Sequence, residues 1–274
     1  MLPLRTASGE AITVSGFEAP ESALVDPADG SVFVSNINGD PLVRDGNGYL
    51  SKIEPGGSVI IQKFIAPKDP LHAPKGLALI GDVLYVTDID KVRGFNKTTG
   101  ESVVTVDLEP HKAKFLNDLA ADDHGTLYVS EFLNNRIFAI DTVNGHAPRV
   151  LVSGALLSSP NGLMVNPKTK NLMVVTWESG RLLEVDRAGR VHSLKKGLVT
   201  PDGVDYDNEG NVYVSSFERG EIYRISRWGR GRITTFQNGL VSPADIAVDR
   251  RKKELIVPSL KGNTLASVPL AQAA

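Results

Sequence analysis

Six positions of the chain, spaced about forty residues apart, carry side chains whose chemistry invites comparison with a metal site. Each lies in a short phrase that begins with proline or leucine, continues with the position itself and a small or acidic residue, and ends in an apolar run. Ca²⁺ prefers about six to eight oxygen ligands from carboxylates, amide carbonyls and water. Four of the six phrases offer such an oxygen. In chain order the positions are Glu21, Lys75, Asn117, Asn161, Asp202 and Ala244.

We call the four oxygen donors, Glu21, Asn117, Asn161 and Asp202, the oxygen set. Taken one at a time, each fits ordinary turn chemistry, because Asn and Asp tolerate turn conformations and a following glycine supplies positive φ. A turn does not require an acceptor side chain in four of six equivalent places, so the repetition favours binding. Without a cation, Glu21 and Asp202 would repel each other, and Lys75 would offset only part of that repulsion. The sequence therefore predicts one divalent cation, with Ca²⁺ expected and Mg²⁺, Mn²⁺ or Zn²⁺ as alternatives.

A repeated fold must bring these positions together. The phrases begin at residues 20, 74, 116, 160, 201 and 243, so most repeats are about 42 residues long. In each copy, further short runs of β-branched and aromatic residues follow the phrase, such as Val212–Val214 and Glu221–Ile225. Such runs are typical of strands, and four strands in a repeat of this length are typical of a propeller. We therefore predict an all-β fold, a six-bladed β-propeller with four antiparallel strands per blade.

The two ends of the chain are expected to meet in one blade. The last repeat supplies only three clear strands, and the segment Glu10–Val14, ahead of the first phrase, has the composition of a strand. We expect this N-terminal strand to complete the last blade and close the ring, which covers otherwise exposed strand edges. The prediction is a single propeller domain over residues 1–274. A large double-sheet sandwich is the alternative, and the regular spacing argues against it.

Composition narrows the class of partner. The 274 residues carry a formal net charge of −2, which favours neither a nucleic-acid groove nor a membrane surface. The absence of cysteine excludes disulfides and thiolate ligands. Aromatic residues make up only 6% of the chain, so we expect no stacking platform at the binding site. We predict a small-molecule ligand, no nucleic-acid or membrane partner, and a monomer or weak oligomer.

The first twenty residues lack a basic start followed by an apolar stretch, so no signal peptide is visible. The localisation therefore stays open. A cytoplasmic protein fits this pattern, and so does a periplasmic or secreted protein whose signal has been removed.

The rim of the propeller should carry further functional groups. The first strand of each blade is innermost, so the six phrase positions face the axis at one end. The first repeat is longer than the others by about a dozen residues, which fall in the polar loop Asn38–Gly48. This loop is either a surface loop without a role or an element over the central opening. A second series of residues follows the second strands and is expected at the same rim: Asn36, Asp88, Glu131, Thr176, Ser216 and Ser259.

Two residues near that second series are candidates for contact with a substrate. Glu131, with Asp88, is a candidate for the pocket wall, and Trp177 is isolated enough in the sequence to suggest a substrate contact. A place in the core or on the outer surface is the alternative for Trp177.

With these residues in place, the chain resembles the senescence marker protein/gluconolactonase (regucalcin-like) family, and more distantly the paraoxonases. The resemblance covers essentially the whole chain as a repeat pattern, and its specific part is the order Glu, Asn, Asn, Asp in the oxygen set. It implies a six-bladed propeller with a divalent cation on the axis, held by Glu21, Asn161 and Asp202. It further implies that Asn117 is a fourth ligand or a substrate contact, and that Asp202 is the general base of a lactonase.

The chain departs from the paraoxonase pattern in its second phrase, where Lys75 stands in place of a histidine implicated in catalysis. His72 lies three residues upstream in a predicted loop and His111 precedes the third phrase, and both are ambiguous. The sixth phrase offers Ala244, followed by Asp245; Asp118 holds the same offset in the third phrase. These two aspartates are expected either to orient ligands or to make local hydrogen bonds at the strand start.

We therefore expect an enzyme, a metal-dependent hydrolase of lactones or related esters. The cation would polarise the carbonyl, Asp202 would activate water, and Lys75 would add positive charge near the developing oxyanion and contact the substrate. The alternative is a non-enzymatic propeller, with a structural axial metal, that binds a small ligand or a protein. Strictosidine synthase-like propellers perform other chemistry, so the fold alone does not decide between these functions.

Overall fold

The computed structural model describes residues 12–57 and 59–270, which form six four-stranded sheets. The N-terminal strand is β1 (Ile12–Ser15). The first blade contains β2 (Pro20–Val25), β3 (Val32–Asn36), β4 (Tyr49–Ile53) and β5 (Ile60–Ile65). The second contains β6 (Pro74–Ile80), β7 (Val83–Asp88), β8 (Lys91–Asn96) and β9 (Ser102–Asp107). The third contains β10 (Leu116–Ala121), β11 (Thr126–Glu131), β12 (Arg136–Asp141) and β13 (Pro148–Ser153).

The remaining blades repeat this order. The fourth contains β14 (Pro160–Val165), β15 (Leu172–Thr176), β16 (Arg181–Val185) and β17 (Val191–Lys196). The fifth contains β18 (Pro201–Tyr206), β19 (Val212–Ser216), β20 (Glu221–Ile225) and β21 (Ile233–Gln237). The sixth contains β22 (Ala247–Asp249), β23 (Glu254–Ser259) and β24 (Thr264–Pro269). Two helical turns occur within the described part of the chain, a 3₁₀ turn at Glu109–His111 and an α-helical turn, α1, at Ser226–Gly229.

The predicted six-bladed β-propeller with four antiparallel strands per blade is confirmed. In each of the first five blades the strands are hydrogen-bonded in chain order, and their pairings are antiparallel. The N-terminal strand β1 pairs antiparallel with β24, from Ile12 opposite Ser267 to Ser15 opposite Thr264. The ring is therefore closed by strands from both ends of the chain, as predicted. Of the predicted strand Glu10–Val14, residues 10 and 11 lie outside the described residues.

The hydrophobic core lies between neighbouring sheets. Among the described residues, each of the six largest clusters joins side chains of two adjacent blades, as Tyr85 and Val106 of the second blade pack with Leu127 and Phe138 of the third. The outermost strands are more polar and more exposed, because one of their faces contacts solvent. The innermost strands contact one another around the axis, which places the start of every first strand at one end of a central channel. No helix within 12–57 and 59–270 is long and apolar enough to cross a membrane.

Candidate functional site

A break in strand pairing turns the phrase residues toward the axis. In the fourth blade, Pro160 pairs with Thr176 and Leu163 pairs with Val174, and the register shifts between them at Asn161 and Gly162. The same shift occurs at the same point in the other four complete first strands. Bulges of this kind re-aim side chains and are common beside active sites. The sequence signal was the polar residue in second place, and the bulge is the geometry that makes that residue available.

The glycines of the phrase serve a different purpose from the one expected. The φ angle is positive at Ser159 and Thr200, which precede the prolines, rather than at Gly162 or Gly203. A Cβ on Gly162 would lie 2.3 Å from the carbonyl oxygen of Asp202, and one on Gly203 would lie 2.5 Å from the Cα of Asp245. These glycines therefore allow the backbones of adjacent inner strands to approach closely, which brings the oxygen set together.

The oxygen set converges at the base of one cavity of about 230 Å³. All four side chains are at most 5% exposed, and they line the cavity together with Lys75. Asn117 Nδ2 donates a hydrogen bond to Asn161 Oδ1 over 2.6 Å, so two carboxamides from adjacent blades are in direct contact. Ala244, the sixth of the phrase positions around the axis, is fully buried and contributes only a methyl group.

Three oxygens of this set have no hydrogen-bond partner. They are Glu21 Oε2, Asn117 Oδ1 and Asp202 Oδ1, and all three are buried. Leaving a buried acceptor unpaired costs about 1–3 kcal/mol, and more for a charged one, so native proteins rarely do so without a reason. Three unpaired oxygens from three blades at one point fit the donor chemistry of a hard cation. Within the described residues no three His, Cys, Asp or Glu side chains group to hold a metal, so such a site would use carboxamides beside its two carboxylates.

The electrostatics of the cavity base also favour a cation site. Burial raises the pKa of Asp202 to about 8, the charge of Asp245 adds to this effect, and a hydrogen bond from Asn161 opposes it. Burial, followed by the charges of Asp202 and Asp245, raises the pKa of Glu21 well above its usual value, and Lys75 acts in the opposite direction. These carboxyl groups resist ionising together. A bound divalent cation would reverse that preference, because it favours the ionised form of each.

Asp118 and Asp245 lie in the next layer along the axis and brace the inner strands. Asp118 Oδ2 accepts a 2.6 Å hydrogen bond from the backbone N–H of Leu163 in the next blade. Asp245 Oδ2 accepts one of 2.6 Å from the hydroxyl of Ser22. Of the two alternatives the sequence left open for these aspartates, these contacts favour hydrogen bonds at the strand starts. Each bond joins neighbouring blades, so the pair holds the ring in register directly beneath the oxygen set.

The second series of residues lies at the expected rim, because its members pair with the first residues of the phrases, as Pro74 pairs with Asp88. Their side chains face the backbone rather than the cavity. Asp88 accepts hydrogen bonds from the N–H groups of His72 and Ala73. Glu131 is fully buried, accepts a hydrogen bond from the N–H of Lys114, and forms an ion pair of 2.7 Å with Arg136.

Glu131 is therefore not a residue of the cavity wall. We predicted that it contacts substrate, but both of its carboxylate oxygens are engaged by the loop it supports, and it does not line the cavity. Its role is to anchor the loop that leads into the third phrase. Asp88 does the same for the loop before the second phrase.

Aromatic side chains form a wall above the oxygen set, contrary to the expectation drawn from the low aromatic content. Trp177 lines the cavity, at the place the sequence suggested, and so do Phe115, Phe132 and Phe217. The rings of Trp177 and Phe217 have their centroids 5.5 Å apart. The sequence contains a signal for most of this wall, because every residue directly after the second series is large and apolar, and all of them except Ile89 line the cavity. These residues are Ile37, Ile89, Phe132, Trp177, Phe217 and Leu260.

The loop Asn38–Gly48 reaches the cavity and is tied to it by Lys75. Pro41 lines the cavity, and its carbonyl oxygen accepts a 3.0 Å hydrogen bond from Lys75 Nζ. The same ammonium donates to the carbonyl oxygen of Ala73 and lies 4.6 Å from the centroid of the Phe115 ring. Burial lowers the pKa of Lys75 to about 8, although the charge of Glu21 acts against this effect. This geometry shows that Lys75 tethers the loop, and its catalytic and substrate-contact roles stay predictions.

The two ambiguous histidines are part of the framework. His72 Nδ1 accepts a 3.1 Å hydrogen bond from the backbone N–H of Gly46, which fixes the far end of the same loop. The ring of His111 packs edge-on against Phe138, with the centroids 5.7 Å apart. Neither histidine lines the cavity above the oxygen set.

Replacing Lys75 with methionine should release the loop. The substitution keeps the aliphatic stem and removes the donor to Pro41, and a hydrogen bond from a charged group contributes about 1.5–3 kcal/mol. We expect amide hydrogen exchange in residues 38–48 to accelerate by roughly tenfold to a hundredfold, measured by mass spectrometry. Lys114→Met, an exposed lysine of the same rim, is the control. Equal exchange in the two variants would show that Lys75 does not tether the loop.

The family model for the SMP-30/Gluconolactonase/LRE-like region matches residues 19–238, which include the oxygen set and Lys75. The chain belongs to the SMP-30/gluconolactonase/LRE-like family. The resemblance inferred from the six phrases is thereby confirmed. A comparison of this family member with curated protein sequences gives no match.

Solved structures similar to this SMP-30/gluconolactonase/LRE-like protein share its fold at low sequence identity. An inactive variant of virginiamycin B lyase from Staphylococcus aureus, solved with quinupristin, is 15% identical, with a TM-score of 0.66 over 96% of this chain and 99% of that one. A streptogramin B lyase is 12% identical, with a TM-score of 0.67 over 96% and 88%. A chain of a nidogen/laminin complex is 20% identical, with a TM-score of 0.65 over 80% of each chain. At these sequence identities the similarity is evidence for the fold alone.

Proposed function

We propose that this protein is a divalent-cation-dependent hydrolase of lactones or related esters. The observation that carries the proposal is the group of three unpaired, buried oxygens at the base of a cavity whose remaining lining, apart from Lys75 and Asn161, is aromatic or aliphatic. Membership of a family whose model includes gluconolactonases supports the reaction class. We further propose Glu21, Asn117, Asn161 and Asp202 as the cation ligands, with Ca²⁺ as the cation that suits four protein oxygens best.

The residues at the base of the cavity have separate tasks in this proposal. A bound cation would polarise the carbonyl group of the ester and stabilise negative charge on its oxygen. The carboxylate of Asp202, or the neighbouring Glu21, accepts a proton from a water molecule whose oxygen bonds to the carbonyl carbon. The ring C–O bond then breaks, and the same proton passes to the departing oxygen. The product is a hydroxy acid, and the carboxylate is restored.

The wall of the cavity and the Asn38–Gly48 loop exclude bulk water from this base. Lower polarity strengthens every charge interaction with the reacting group, so a dry site favours the reaction. Lys75 contributes by holding Pro41 at the cavity edge and by placing a positive charge beside Glu21. We therefore propose Lys75 as a positioning residue and leave proton transfer to the carboxylates.

Removal of the cation tests the proposed function directly. With Ca²⁺ present, we expect turnover of at least one class among sugar lactones, acyl-homoserine lactones and aryl esters, measured by acid release. A chelator should abolish that turnover, and excess Ca²⁺ should restore it. The control is the same chelator already saturated with Ca²⁺. A large thermal stabilisation by Ca²⁺ without turnover of any substrate would contradict a hydrolase and favour the non-enzymatic propeller.

A further inference from the structure

The charged and amide groups of the cavity are confined to its base. Among the described residues that line it, the charged and amide side chains are the oxygen set and Lys75, and the one further hydrogen-bond donor is the indole N–H of Trp177. The ammonium of Lys75 is already occupied by the carbonyl oxygens of Pro41 and Ala73. The rest of the lining consists of aromatic and aliphatic side chains and Pro41. A ligand seated on the oxygen set would therefore find one hydrogen-bond donor along the described wall, the indole N–H of Trp177, and no hydroxyl, amide or guanidinium partner.

The wall itself is a continuous arc of rings. Phe115 meets Phe132 edge to face, with the ring centroids 5.3 Å apart, and Phe132 meets Trp177 at 6.2 Å. Trp177 in turn meets Phe217 at 5.5 Å. Neighbouring aromatic rings at such distances stabilise one another's positions. The arc is therefore a preformed surface rather than a set of independent side chains. Ile37 and Leu260 line the cavity with these rings.

Apolar character continues outside the cavity mouth. Leu42 and Val43, which follow Pro41 in the Asn38–Gly48 loop, are about half exposed. Leu133, which follows Phe132, is exposed to the same degree. The approach to the cavity is therefore apolar at two places on the rim, next to residues of the wall itself.

We propose that this cavity selects cyclic esters fused to or carrying an aromatic ring, and that it rejects polyhydroxylated sugar lactones. The proposal rests on the hydrolase function proposed above. A sugar lactone would bury several hydroxyl groups against the ring arc, and each unpaired polar group opposes binding. The cavity of about 230 Å³ is larger than the roughly 150 Å³ that holds benzene in an apolar protein interior, so one ring fused to a lactone matches its size.

Two lactams provide matched, non-hydrolysable probes. 3,4-Dihydroquinolin-2-one and D-glucono-1,5-lactam are both six-membered lactams, and they differ in carrying a fused benzene ring or a set of hydroxyl groups. We expect the aromatic lactam to bind more than tenfold tighter by isothermal titration calorimetry. Equal affinity, tighter binding of the sugar lactam, or no binding of the aromatic one would overturn the proposal.

The chain offers an internal reporter for the site of binding. It contains two tryptophans, Trp177 in the wall and Trp228, which packs on Tyr206 with the ring centroids 5.2 Å apart. Tyr206 lines a separate cavity at the other end of the inner strands. In Trp228→Phe the remaining tryptophan, Trp177, should change its emission when the aromatic lactam binds. In Trp177→Phe the emission of Trp228 should stay constant, and the reverse pattern would place the ligand elsewhere.

A second pair of variants tests the contribution of the wall. Trp177→Ala should weaken binding of the aromatic lactam by roughly tenfold or more, because it removes the centre of the ring arc. Trp228→Ala removes a similar, half-buried ring at the other end of the channel and should leave the affinity unchanged. Circular dichroism checks that both variants fold. Equal affinities in the two would contradict a role for the ring arc.

Hydrolysis of the parent lactones separates this inference from the function on which it rests. Dihydrocoumarin should be hydrolysed with a kcat/KM at least about a hundredfold above that of glucono-1,5-lactone. Turnover of the sugar lactone alone would overturn the inference and leave the hydrolase standing. Binding of the aromatic lactam without turnover of either lactone would overturn the hydrolase and leave the ligand class standing.

Discussion

Asp202→Asn is expected to abolish calcium binding and to reduce kcat by about 10²–10⁴-fold, the usual contribution of a general base. The substitution keeps the shape of the side chain but removes a negative charge from a set that has only two carboxylates. It also removes the proton acceptor assigned to the reaction. Calorimetric titration with Ca²⁺ and acid release from the best substrate measure the two effects separately.

The same substitution should stabilise the protein in the absence of a cation, which distinguishes it from a variant that merely fails to fold. Burial and the charge of Asp245 raise the pKa of Asp202 to about 8, so ionisation of this carboxyl group works against the folded state. A neutral carboxamide avoids that cost. We expect the free energy of unfolding at about pH 8 with chelator to rise by at least about 1 kcal/mol, the value of one pKa unit.

Asp207→Asn is the matched control for both measurements. Asp207 is buried in the same blade and accepts hydrogen bonds from Tyr213 and Asn211, which suits a purely structural aspartate. Its substitution should lower stability and leave calcium binding unchanged. Full activity in Asp202→Asn, or equal calcium affinity in the two variants, would show that the assignment of Asp202 is wrong.

The fold could be predicted because the physical causes of a propeller are local and repeated. Every blade needs four short strands with an apolar interior face. The architecture can therefore be predicted from the spacing of the phrases and the composition of the runs between them. The closing strand could be predicted for a related reason. A three-stranded last blade leaves an exposed edge, and an unassigned apolar segment at the N-terminus can cover it.

The oxygen set could be located from sequence for the same reason, since its members occupy one position of the repeat. The wall could not be predicted from composition, because a percentage gives the number of aromatic rings in the chain and not their positions in the repeat. Nine phenylalanines and two tryptophans are few, but three of them fall directly after the second series and face one cavity. A fourth ring, Phe115, comes from the loop before a phrase. Composition averages over the chain, whereas a binding site depends on register.

Glu131 and Lys75 show a second limit of sequence reasoning. Both stand at repeat positions that point toward the site, and both carry charges suited to chemistry. In the folded protein the Glu131 carboxylate forms an ion pair with Arg136 and accepts a hydrogen bond from a backbone N–H. The Lys75 ammonium donates hydrogen bonds to two backbone carbonyl oxygens. Repeat position determines which rim a side chain reaches. The loops, which differ from blade to blade, determine whether its polar group remains free.

Thermal stability should depend on pH and calcium together. Burial raises the pKa of Asp202 to about 8 and that of Asp245 to about 7. A carboxyl group with a raised pKa contributes stability that is fully present below its unfolded value of about 4 and is lost as the pH rises through the folded value. Lys75, with a pKa of about 8, stays mainly protonated below that pH and adds little slope there. With chelator, Tm should therefore fall between about pH 5 and pH 7.5.

Calcium should reduce this slope, because a cation at the oxygen set favours the ionised form of Asp202 and its binding releases protons. Free Ca²⁺ at about a hundred times its Kd adds about 2.7 kcal/mol, which corresponds to roughly 5–10 °C in Tm for a domain of this size. The gain should be larger at about pH 7.5 than at about pH 5.5, since protons compete less for the same oxygens. Asp202→Asn should show neither the gain nor the full slope. Parallel curves with calcium and with chelator would mean that the cation does not bind at these carboxylates, and the unpaired oxygens at the cavity base would then require another partner.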